Sequence, residues 1–121
     1  MLIWLQIALG GALGAMARFA LSFLFTHAGT TIFPWTVFSA NVIGCFFIGL
    51  VSVWLIEQPQ WTQYKPLLIV GLLGGFTTFS SFGLDAIALI EAKAWKEAIF
   101  FILGTNIAGI LAVFVGIQIA R

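Results

Sequence analysis

Between its first residue and Glu57 this chain carries a single charged side chain, Arg18. So long an apolar run leaves few options, since about 20 such residues already cross the hydrocarbon core of a bilayer as a helix. The remainder repeats the pattern, with no charge over residues 66–84 or 98–120. Charged residues are 7% of the 121, against about 25% in soluble domains, and 62% are hydrophobic. The fold class expected is an all-α membrane protein, a single four-helix transmembrane domain over residues 1–121.

Charge and turn residues cut the chain into four crossings. The first runs over residues 2–26, and His27, Ala28, Gly29, Thr30 and Thr31 form a turn. The second spans 33–56, followed by a polar connection from Glu57 to Lys65 edged by Trp61 and Tyr64, aromatics suited to a membrane interface. The third spans 66–90, and Glu91, Lys93, Trp95, Lys96 and Glu97 form the next connection. The fourth runs over 98–120. Loops this short leave no room for a soluble domain.

The composition also excludes functions. A formal net charge of +1 offers no basic footprint for nucleic acid. Cys45 is alone, so no internal disulfide forms, and the thiol reads as a small buried hydrophobe. His27, the one histidine, falls in a loop and points to no metal site. No basic segment precedes the first apolar run, so a cleaved signal peptide is not expected. No catalytic set exists, and GLLGGF at 71–76 resembles a phosphate loop only in its glycines.

Small residues recur at helical spacing: Gly10 with Gly14, Ala40 with Gly44, Gly71 with Gly75, and the stripe Gly104, Ala108, Ala112 and Gly116. Such pairs let helix backbones approach closely where lipid supplies no hydrophobic drive. Orientation is undetermined by charge. One face carries Lys65 and Arg121, the other Lys93 and Lys96, so the Lys/Arg bias that fixes topology is absent. A chain that inserts both ways can pair with an inverted copy about an axis in the membrane plane.

The polar groups concentrate in residues 74–82, GGFTTFSSF. Glycines followed by paired hydroxyls point to a broken helix, which lipid tolerates only beside protein or a water-filled path. Phe79 and Phe82 stand three apart; as pore residues they would offer the positive edges of their rings to an anion, and as packing residues only bulk. Thr78 and Ser81 form a neighbouring hydroxyl pair, and Asp85 follows one turn later. Asn41, within the second crossing, either bonds a neighbouring helix or turns its amide donors to an anion. Arg18 is a costly intramembrane charge that anchors its helix, snorkels, or pairs with an acid such as Asp85. Thr105 and Asn106 add a polar spot to the fourth crossing.

GGALGAMARF at 10–19, NVIGCFFIG at 41–49 and GLLGGFTTFSSF at 71–82, in this order, resemble the Fluc (CrcB) family of fluoride channels over the whole chain. The resemblance implies an antiparallel, dual-topology homodimer in the inner membrane, with the third helix broken near residues 74–78 and two fluoride pathways at the dimer interface. It implies a structural sodium ion held by the backbone carbonyls of Gly74 and Thr77 from both copies. It makes Phe79 and Phe82 the pore phenylalanines and Asn41 the pore amide. Ser81 and Thr78 join the hydroxyl track, and Arg18 is the first-helix arginine. The fourth helix departs from the family's Tyr and Ser four residues apart, having Phe101 and Thr105. Thr105 keeps a hydroxyl; Phe101 lacks one.

The chemistry is coherent with that expectation. Stripping water from fluoride is costly unless donors replace it, whereas a fixed cation in the path would hold the ion too tightly to conduct. Neutral donors and ring edges avoid both problems. A proton-coupled multidrug exporter, also small and able to insert both ways, would need a carboxylate within the membrane. The first crossing has none, and Glu57 and Asp85 lie near segment ends. A structural subunit of a larger complex would leave GGFTTFSSF unexplained.

Overall fold

The computed structural model describes residues 1–26 and 32–121, and the turn expected at 27–31, with His27, lies outside the described residues. Helix α1 spans Leu2–Thr26 and α2 spans Trp35–Glu57. A 3₁₀ turn at Pro59–Tyr64 leads into a π-helical stretch, Pro66–Leu73, which continues as α3, Gly74–Phe76. Helix α4 spans Ser80–Glu91 and α5 spans Trp95–Ala120. Counting Pro66–Glu91 as one interrupted crossing, four segments are long and apolar enough to cross a membrane. The chain is an all-α, multi-pass membrane protein.

The boundaries expected from charge hold at most ends and fail at one. Helix α5 starts at Trp95, not at residue 98, and takes Lys96 and Glu97 into its first turn. Glu97 there faces the positive end of the helix dipole, so the charge favours a helix start instead of preventing one. Helix α4 ends with the Ala94 N–H donating to the Leu89 carbonyl at 2.9 Å and the Lys93 N–H to Ile90 at 2.9 Å. This C-cap needs a left-handed residue, and Lys93 supplies it at φ 58°. At the other connection, Trp61 stacks on Trp54 at 6.1 Å and lies 5.7 Å from Tyr64, an aromatic belt between the second and third crossings.

Glycine contacts set the packing. The Gly10/Gly14 pair of α1 packs on the Gly71/Gly75 pair of the third crossing. A Cβ at Gly14 would drive into the Leu72 carbonyl, and one at Gly75 would lie 2.7 Å from the Gly11 carbonyl. Helices α2 and α5 approach through Gly49, whose Cβ would meet the Val113 carbonyl, and Gly116, whose Cβ would meet that of Phe46. The stripe expected along α5 is therefore not one seam. Its buried face is Ala98, Phe101, Thr105, Gly109 and Gly116, while a Cβ at Gly104 would make only an ordinary 3.5 Å contact with Phe38.

An aromatic cluster joins α2, α4 and α5 at one end. Phe101 is fully buried, with its ring 5.1 Å from Phe82 and 5.6 Å from Phe33. Val37, Ala86, Leu89 and Ala98 complete this core. Together these contacts fix α4 against α5, and so set where the third crossing resumes after its break.

Candidate functional site

The third crossing breaks within the expected region 74–78, just after its glycines. Gly74 and Gly75 lie inside helical backbone, and the departure comes at Thr77, extended at φ −83°, ψ 156°. Phe79 is already back in helical space before Ser80 opens α4. Gly75 serves the close approach to α1, and side-chain hydrogen bonds hold the backbone of the opening.

Asn41 supplies the first of these. Its Oδ1 accepts from the Thr78 N–H at 2.8 Å, and its Nδ2 donates to the Thr78 carbonyl at 3.0 Å. Both backbone groups of one residue in the break are thus held by one amide of α2, which still has a second N–H. Thr78 supplies the next: its Oγ1 accepts from the Ser81 N–H at 3.2 Å, the pattern of a helix N-cap, and lies 3.3 Å from Ser80 Oγ. Upstream, the Thr77 N–H and hydroxyl both donate to the Leu73 carbonyl, at 3.0 and 2.9 Å. Arg18 is half-buried, and its Nε donates to the Gly75 carbonyl across a long 3.4 Å. Of the three roles open to Arg18, the structure shows an anchor on the carbonyl end of the broken helix, where positive charge is favourable. Among the described residues no ion pair ties it to Asp85.

A cavity of about 460 Å³ lies between the break, α2 and α5, and Asn41, Thr77, Thr78, Phe79, Phe82 and Thr105 line it. Gly74, Cys45 and Asn106 contribute as well, and no lining residue is charged. Neither Glu57 nor Asp85 is part of the wall. Ser81 is also absent from it and takes part in the break through its backbone N–H.

The two phenylalanines differ in their surroundings. Their rings are 5.5 Å apart, but Phe82 is 8% exposed within the aromatic core and Phe79 is 81% exposed. The three-residue spacing implied equivalence on one helix face. The break removes it, because Phe79 precedes α4.

Thr105 is 8% exposed, and its Oγ1 is buried without a hydrogen-bond partner among the described residues. A mid-helix Thr normally bonds back to its own helix, and a buried orphan hydroxyl is costly. One turn earlier Phe101 has no hydroxyl to offer it. Asn106, which in sequence opposed nothing, reaches the same cavity while donating to the Ile102 carbonyl at 2.7 Å. Only the register of α5 against α2, set at Gly49 and Gly116, reveals what it faces.

Comparison with known proteins adds a family. The model described as CrcB-like protein, camphor resistance (CrcB), matches residues 5–117. A Helicobacter acinonychis (strain Sheeba) protein named fluoride-specific ion channel FluC is 39% identical over 99% of this chain and 96% of its own length. A Helicobacter pylori (strain P12) protein of the same name is 38% identical over 98% of this chain and 93% of its own. The Nocardia farcinica (strain IFM 10152) protein named fluoride-specific ion channel FluC 2 is 41% identical over 98% and 85%.

Proposed function

The chain belongs to the CrcB family, and from that premise we propose that it is a fluoride-selective channel of the inner membrane, exporting cytoplasmic fluoride down its electrochemical gradient. The observation that carries this reading is the wall of the cavity: neutral donors and aromatic rings at a helix break, with no charged side chain. A dehydrating anion meets the remaining Asn41 N–H, the Thr78 and Thr105 hydroxyls, and the ring edges of Phe79 and Phe82. The N-terminus of α4 opens at the break, so its dipole adds positive potential there without a trapping charge. Each contact is weak enough to leave, as conduction requires. Ser81 contributes through the N–H that Thr78 receives.

The working unit on this reading is an antiparallel homodimer. The cavity face exposes Gly74 and Phe79 and leaves backbone carbonyls at membrane depth, a cost that lipid cannot relieve. A second copy covers it. Among the described residues a Cβ at Gly74 would find only the Ile69 carbonyl at 3.5 Å, a contact that does not demand glycine. Close approach of the partner's backbone accounts for it.

Sodium fits the same place. The helical donor for the Gly74 carbonyl is the Thr78 N–H, which goes to Asn41, and that for the Thr77 carbonyl is the Ser81 N–H, which goes to Thr78. Two hard oxygens are thereby released, the donor type a hard cation takes, and a second copy would supply two more. When bound, a sodium ion adds a fixed positive field beside the pathway.

The physiological logic is weak-acid trapping: HF enters uncharged, ionises at neutral pH and cannot leave except through an anion path. In a strain lacking its own fluoride exporter, this chain should restore growth in fluoride. Two or three lysines added beside Arg121 should lock one orientation, as a C-terminal reporter would record, and abolish rescue by that version alone. Wild-type protein that fails to rescue, or a single-orientation version that rescues fully, would count against the proposal.

A further inference from the structure

We propose that Asn41 and Thr78 are positioning residues for the cation site, holding away the two backbone N–H groups that would otherwise close a helix over the Gly74 and Thr77 carbonyls. The inference rests on the sodium reading above and concerns how this chain keeps those oxygens available. In an uninterrupted helix each carbonyl accepts from the N–H four residues on. For Gly74 that donor is Thr78, and its N–H lies 2.8 Å from Asn41 Oδ1. For Thr77 it is Ser81, and its N–H lies 3.2 Å from Thr78 Oγ1.

Two neighbouring carbonyls are handled oppositely. Gly75 accepts from Arg18 and Thr78 accepts from Asn41, so both are occupied by side chains. Backbone strain does not account for this choice. Gly74 is helical at φ −63°, ψ −37°, and Phe79 returns to helical space at φ −89°, ψ −34°. Helical geometry is thus available on both sides, and the competing bonds keep the crossing open between them. Asn41 therefore acts twice, its oxygen toward the cation site and its spare N–H toward the anion path.

The two roles separate by substitution. Asn41→Asp keeps an oxygen for the Thr78 N–H but removes the donor and adds a charge that repels an anion. Asn41→Leu removes both at similar size. Thr78→Ser keeps the hydroxyl that receives Ser81, and Thr78→Val removes it. The readout is the thermal unfolding midpoint of purified protein in sodium chloride against N-methyl-D-glucamine chloride, titrated with sodium. Wild type should be stabilised progressively by sodium, as any ligand of the folded state does. Asn41→Leu and Thr78→Val should each need about tenfold more sodium for the same rise, the effect of returning one N–H to a carbonyl. Asn41→Asp and Thr78→Ser should keep the sodium response, and Asn41→Asp should lose fluoride flux. Thr78→Val, which leaves the Asn41 clamp intact, carries the test if Asn41→Leu does not fold. Folded Asn41→Leu or Thr78→Val with the wild-type sodium response would overturn the assignment. So would loss of that response in Thr78→Ser. A wild-type protein indifferent to sodium would instead overturn the sodium reading beneath it.

Discussion

Replacing Phe79 by isoleucine should lower fluoride flux about a hundredfold, equivalent to roughly 3 kcal/mol on the barrier, with the protein still folded. Phe79 is 81% exposed in the protomer, and its one ring neighbour among the described residues is Phe82 at 5.5 Å. Isoleucine keeps bulk and apolarity, so a residue that merely filled space would tolerate the change at modest cost. What it lacks is the positive ring edge. Phe82→Ile is the informative contrast. Phe82 is 8% exposed and packs on Phe101 at 5.1 Å, so its replacement should lower both flux and the unfolding midpoint. Initial efflux rates from liposomes, read beside gel-filtration profiles, decide the matter. Near-normal flux through folded Phe79→Ile would return that residue to the role of bulk.

Replacing Gly14 by valine should prevent the protein from folding, and Gly14→Ala should destabilise it by about 3 kcal/mol, the upper end for overpacking. The obstacle is backbone, not a side chain that can swing aside. A Cβ at Gly14 would drive into the Leu72 carbonyl and approach the Phe76 N at 2.7 Å. Separating α1 from the third crossing would also remove Arg18 from the Gly75 carbonyl. Gly11→Ala is the control on the same helix, since none of the described residues lies within 4 Å of a Cβ there. It should remain monodisperse, with a thermal midpoint at or above wild type. Equal tolerance at positions 11 and 14 would contradict packing through these glycines.

Crossings were legible in the sequence because charge is largely excluded from the hydrocarbon, a rule each segment follows without reference to the others, Arg18 in the first and Asp85 in the third being the exceptions. The small-residue pairs were legible as packing surfaces, but not their partners. That Gly10 and Gly14 meet Gly71 and Gly75, and that Gly116 meets the Phe46 backbone rather than closing one stripe, depends on how helices cross. The break was legible as a region, residues 74–78, and the structure puts it at the C-terminal end of that region. Glycine advertises freedom, yet Gly74 and Gly75 are helical, and the backbone of the opening is bonded by Asn41, 37 residues away from Thr78. The Phe79 and Phe82 spacing suggested one shared face because it presumed that the helix after the break already includes Phe79, whereas α4 starts at Ser80. Thr105 was legible as polar, while the burial of its hydroxyl without a partner among the described residues depends on how α5 packs.

The central claim is that an uncharged cavity of donors and ring edges passes fluoride and little else. Purified protein reconstituted into liposomes loaded with fluoride or with chloride, with release followed by ion-selective electrodes after potassium efflux is permitted, tests it most directly. The expected result is rapid fluoride release and no chloride release above that of protein-free liposomes. Comparable release of both anions, or of neither, would contradict the account.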